Sequence, residues 1–146
     1  MSDDHVVSTM SASDMAAAFV RRPGMFIGVP VRFDRVVACI RGYILAVEDV
    51  RAALAPGHAG AHHPVGLESQ YTDQLRAEGR LQWDRWDLTV VAEAIGWDQE
   101  EPPVLADMDE DQHRAAISQL RPFLERAFAL PGEVALAVRA DMSRAG

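Results

Sequence analysis

The stretch Arg21-Arg22-Pro23-Gly24-Met25-Phe26-Ile27-Gly28, with the apolar helix pattern that follows it, decides how the chain is organised. Pro23 fixes its own φ and disfavours helical backbone at Arg22, so a helix arriving from upstream is expected to stop near Val20 or Arg21. Gly24 directly after proline suits the third position of a type II turn, which needs φ > 0. Met25, Phe26 and Ile27 then form an apolar run closed by Gly28, too brief for a helix and suited to plugging a core. The unit reads as a buried corner between two helices.

Downstream of the corner, Phe33, Val36, Val37, Ile40, Tyr43, Ile44, Val47, Val50 and Leu54 recur at helical spacing from about Arg32 to Leu54, while Arg32, Arg35, Arg41, Glu48 and Asp49 take the other faces. This is the expected central helix. Gly42 in its interior costs about 1 kcal/mol relative to Ala, which points to a close helix crossing at the Gly42-Tyr43 step. Upstream, Ser11 or Ser13 can N-cap a helix over Asp14–Val20, and residues 1–10 read as a disordered N-terminus.

Pro56–Pro64 is a loop by composition; its His58, His62 and His63 lack the rigid spacing and acidic or thiol partner of a metal site. Leu67–Glu78 reads as a helix ended by Gly79. Trp83, Trp86, Val90, Val91, Ala94 and Ile95 share one face of a further helix, which Gly96 ends. A last long helix over Glu110–Leu130 contains Pro122, expected to kink or break it near Arg121. Residues 134–138 fit helix or strand, with a helix to about Met142 favoured. The expectation is therefore an all-α fold, a single compact bundle of five or six helices around a long central helix, with residues 11–146 forming one domain.

The segment Phe19-Val20-Arg21-Arg22-Pro23-Gly24-Met25-Phe26-Ile27-Gly28 resembles the RPGMYIG segment of the nucleotide-binding domain of gyrase B and related GHKL ATPases. In that family the next helix carries a Glu and a Mg-binding Asn, and Asp-x-Gly-x-Gly and Gly-x-Gly motifs close over the nucleotide. Phe33–Ile44 carries neither residue and no glycine-rich motif follows, which leaves an ATPase reading without its metal ligand. Over more of the chain, the corner, the Gly42-Tyr43 helix and the Trp-containing and acidic-then-apolar segments are similar to small uncharacterised bacterial proteins of this length. That resemblance implies an all-helical, non-enzymatic domain.

A chain of 146 residues, 49% hydrophobic and 25% charged, is long enough to bury a core without metal or disulfide help. Cys39 has no partner for an internal disulfide, in keeping with a reducing cytoplasm, and its position near the inward face of the central helix predicts a buried, inert thiol. No apolar run approaches a membrane span and no signal peptide is evident, so a cytoplasmic location without membrane contact is expected. All 14 basic residues are Arg, and the net charge of -8 disfavours nucleic acid and favours a basic protein partner.

The candidate binding surface comprises Trp97, Asp98, Glu100, Glu101, Asp107, Asp109, Glu110 and Asp111, a run without a basic residue. Asp107, Asp109 and Asp111 imitate the start of a calcium loop, but Gln112 stands where the turn glycine belongs and Ser118 where the closing Glu belongs. An N-cap at Asp107 or Asp109 and an acidic docking patch are the remaining readings. Three tryptophans within fifteen residues are either core or aromatic anchors for a partner.

No nucleophile elbow, zinc motif or phosphate loop is present, and His113 beside Asp109 reads as a surface pair. No catalytic residue, metal or cofactor is assigned. The sequence thus points to a non-enzymatic intracellular binding protein, of the immunity or toxin-neutralising kind, acting through an acidic, Trp-containing surface. The alternatives are a nucleotide-binding GHKL-like remnant and a pocket for a small apolar ligand between the tryptophan helix and the central helix.

Overall fold

Ser11 opens the first helix, its hydroxyl accepting from the Asp14 amide at 3.1 Å. In this computed structural model residues 10–54 and 66–146 are described, so the histidine loop and the extreme N-terminus lie outside the described residues. The described residues form seven α-helices and no strand: α1 (Ala12–Arg21), α2 (Gly24–Ile27), α3 (Phe33–Leu54), α4 (Leu67–Ala77), α5 (Trp86–Ile95), α6 (Glu110–Gln119) and α7 (Arg121–Ala145). The all-α reading holds.

The core forms where α7 meets its neighbours. Phe123, Leu124 and Ala127 of α7 lie buried with Ala16 and Phe19 of α1, Val36, Val37, Ile40 and Ile44 of α3, Tyr71 and Leu75 of α4, Ile117 of α6, and Leu120 at the joint between α6 and α7. Aromatic rings lock the layers: Trp86 stacks on Phe123 at 4.7 Å between centroids, and Tyr71 meets the edge of Trp86 at 5.6 Å. Such pairs contribute about 0.5–1.5 kcal/mol beyond their burial.

The corner departs from the expected turn. Pro23 takes helical angles, φ -59° and ψ -33°, and its preset φ starts the one-turn helix α2 instead of a type II turn. The left-handed glycine is Gly28, at φ 76°, which lets the chain leave that turn. Pro23 is buried and Ile27 half-buried, but Met25 is 74% and Phe26 44% exposed, so the apolar run plugs the core with only part of itself. A single helical turn points its side chains around a circle, and two of them face outward. Phe26 still lays its ring on Phe19 at 4.5 Å.

Three expectations for α3 are also corrected. A Cβ at Gly42 would meet nothing within 4 Å, so no helix crosses there; Tyr43 instead sets its ring edge-on to Phe128 at 5.4 Å. Cys39 is exposed, lying just off the stripe that α3 buries. That stripe is buried from Phe33 to Ile44, whereas Val50 and Leu54 are exposed.

At the other end of the fold, Pro122 sits in the first turn of α7, where a missing amide costs no helical bond, and the chain breaks from α6 as expected. Helix α7 then continues through Pro131, so residues 134–138 are helical.

Candidate protein-binding surface

The acidic run joins α5 to α6, and both of its ends are built by local rules. Gly96 ends α5 in the left-handed conformation, φ 67° and ψ 38°, and the Trp97 amide donates back to the Ala92 carbonyl at 2.9 Å. At the far end Asp109 caps α6: its carboxylate accepts from the Gln112 amide at 2.8 Å, while the Gln112 side chain accepts from the Asp109 amide at 3.0 Å. Glu110 and Asp111 follow in the first turn, where the helix dipole favours negative charge.

Between these ends the segment is pinned by two indoles. Trp83 donates its ring N–H to the Glu100 carbonyl at 2.7 Å, and Trp97 donates to the Glu101 carbonyl at 2.7 Å. Trp83 is not on a face of α5 as its spacing suggested. It and Asp84 both have φ 52°, a turn that delays the helix until Trp86, and the Gln82 amide donates to Thr89 Oγ1 at 2.9 Å to hold that turn. The three tryptophans thus divide: Trp86 is core, and Trp83 and Trp97 are half-buried clamps on consecutive backbone carbonyls.

Asp98, Glu100, Glu101, Asp107, Asp109, Glu110 and Asp111 are all exposed. Asp109 is committed to its cap and Glu110 pairs with Arg114 at 3.0 Å. The carboxylates of the other five make no ion pair among the described residues. Val104, 56% exposed, lies within the same run, over the buried Pro103. The whole acidic set is thus exposed along one segment, which hydrogen bonds anchor at Glu100, Glu101 and Asp109.

Sequence reasoning missed how His113 serves this segment. It is 3% exposed, not a surface partner of Asp109, and its Nδ1 accepts from the Phe33 amide at 3.0 Å. The imidazole is thereby a side-chain cap for the first turn of α3 and must be unprotonated at Nδ1. Leu105, in the 3-10 turn Leu105–Asp107, is its further backbone hydrogen-bond partner. Burial, with the Arg32 cation beside it, holds the imidazole below its usual pKa against the opposing pull of Asp34 and Asp109. One buried ring thus ties the end of the acidic run to the start of α3.

A groove of about 530 Å³ lies elsewhere, between α3, α4 and α7, lined by Val47, Arg51, Tyr71, Arg126, Leu130 and Val134 among others. The expected pocket between the tryptophan helix and α3 is not where this depression forms: no residue of α5 lines it, and Trp86 packs instead on Tyr71 and Phe123. None of the corner residues 21–28 lines the groove. Among the described residues no three His, Cys, Asp or Glu side chains gather closely enough to hold a metal ion, and no helix is long and apolar enough to cross a membrane.

No family of known proteins, no curated protein and no solved structure matches the chain.

Proposed function

We propose that the protein is a non-enzymatic binding protein that receives a basic protein partner on the segment from Trp97 to Asp111, in the manner of a cytoplasmic immunity or toxin-neutralising protein. The observation that carries this reading is the pair of indole hydrogen bonds to Glu100 and Glu101, which hold five unpaired carboxylates on a fixed backbone. A mobile acidic loop would lose ordering entropy on binding; an anchored one has already lost it. Unpaired surface carboxylates steer a basic partner and speed its encounter, and the exposed edges of Trp97 and Val104 supply apolar contact at the same place. Reading the partner as a toxin is an analogy from the acidic charge and rests on no motif. A GHKL-like remnant is less well supported, since the helix after the corner lacks the Glu and Asn that hold Mg-ATP.

The test compares partners recovered by the tagged native protein with those recovered by Glu100→Gln/Glu101→Gln/Asp107→Asn/Asp111→Asn from extracts of the native host. Recovery of a basic protein should fall at least tenfold in the variant. Equal recovery by both proteins would remove the surface. Calorimetric titration with Mg-ATP addresses the remnant: saturable micromolar binding would favour it instead.

A further inference from the structure

The corner that sequence reading placed in the core is a surface. Met25, Phe26 and Val29 are 74%, 44% and 81% exposed within five residues of one another. Arg21 and Arg22 flank them, exposed and without a hydrogen bond or ion pair from their guanidinium groups among the described residues. Arg35 donates Nη1 to the Val29 and Pro30 carbonyls at 3.2 and 3.3 Å, which fixes a third positive charge against the apolar residues. Arg32 and Asp34 pair with one another at 2.9 Å and cancel locally. In a chain of net charge -8 this is a basic, apolar patch, opposite in sign to the acidic segment.

The two patches are linked at their near ends, the start of α3 and the start of α6. The Phe33 amide, which follows the corner, bonds to His113 at 3.0 Å, and the His113 amide bonds to the Asp109 carbonyl at 3.1 Å, one turn from the last acids of the run. When a basic patch and an acidic patch lie side by side, a two-fold axis passing between them sets each against its opposite on a second copy. Such a pairing forms the contact twice and closes, whereas a head-to-tail contact would extend without limit.

We propose that the corner docks a second copy of this chain, in a reciprocal dimer where Arg21, Arg22, Met25 and Phe26 of each copy meet the Trp97–Asp111 segment of the other. Opposite charges steer and register the pair, and the exposed Met25 and Phe26 find Val104 as an apolar counterpart. A contact led by exposed charges is weak and salt-sensitive. The inference shares its acidic half with the surface proposed above, and a basic partner would compete with the second copy for those carboxylates.

Sedimentation velocity of the full chain tests it, with Arg21→Glu/Arg22→Glu and Glu100→Arg/Glu101→Arg as charge reversals at exposed positions. At low salt and about 0.2 mM the native protein should sediment as a dimer, returning to a monomer near 0.5 M salt. Each reversed protein alone should be monomeric, because both of its contacts now repel. An equimolar mixture of the two should regain the dimer, since both contacts of the mixed pair again join opposite charges. A native protein that stays monomeric at low salt overturns the proposal, as does a dimer that survives either reversal or a mixture that fails to associate. A monomeric native protein that still recovers a basic partner through its acids would sink only the dimer. A dimer restored by mixing, beside unchanged partner recovery by the neutralised variant, would sink only the partner surface.

Discussion

At the scale of single residues, His113 has the most to reveal. Its Nδ1 accepts the amide at the start of α3, a bond that exists only while the ring is neutral. The folded pKa lies below the usual 6.5, so on acidification the unfolded chain takes up the proton before the native state does. Stability from this residue is complete above about pH 7 and declines as pH falls through 6.5 towards the lower folded value. Urea unfolding at pH 7.5 and pH 5.5 should show a larger loss for the native protein than for His113→Gln, whose side chain does not titrate. Equal losses would mean that the imidazole does not cap α3. At pH 7.5, His113→Ala should cost about 2–4 kcal/mol, because it leaves the Phe33 amide unsatisfied beside a cavity. The chain carried no sign of this role: a histidine four residues after an N-cap aspartate looks the same whether it faces water or an amide eighty residues away.

Among the elements, α3 shows both what its pattern discloses and what it hides. Its bounds and its inward stripe from Phe33 to Ile44 follow from periodicity alone. Periodicity marks a face as apolar but not how far a neighbour extends along it, which is why Val50 and Leu54 were expected inside and are exposed. Gly42 suggested a crossing, yet it stands on an open face. Gly42→Ala should therefore stabilise the protein by about 0.5–1 kcal/mol through helix propensity, read as a higher thermal midpoint. A loss of stability would restore the crossing. Cys39 is likewise open to solvent, so a thiol reagent should label the native protein at the rate of a free thiol without unfolding it; labelling that waits for denaturant would place the sulfur back inside. The short α2 misled for a related reason: Pro-Gly serves a turn and a helix start equally well, and only the neighbours decide.

For the molecule as a whole, the acidic set was legible as a run of like charge, and its anchoring was not. The positive φ of Trp83 and Asp84, which swings Trp83 off α5 and onto Glu100, is a tertiary choice that no spacing rule announces. The same holds for the basic corner, whose charge was visible but whose exposure depended on how one helical turn rolled. What emerges is a helical scaffold whose core is completed by α7 and which exposes an acidic segment held by two indole hydrogen bonds.

That anchoring is the central claim, and backbone ¹⁵N relaxation of residues 98–108 measures it most directly. Order parameters near 0.8 are expected in the native protein, dropping below about 0.6 when Trp83→Phe and Trp97→Phe together remove the two indole donors. Values below about 0.6 already in the native protein would describe a loose acidic loop and contradict the account.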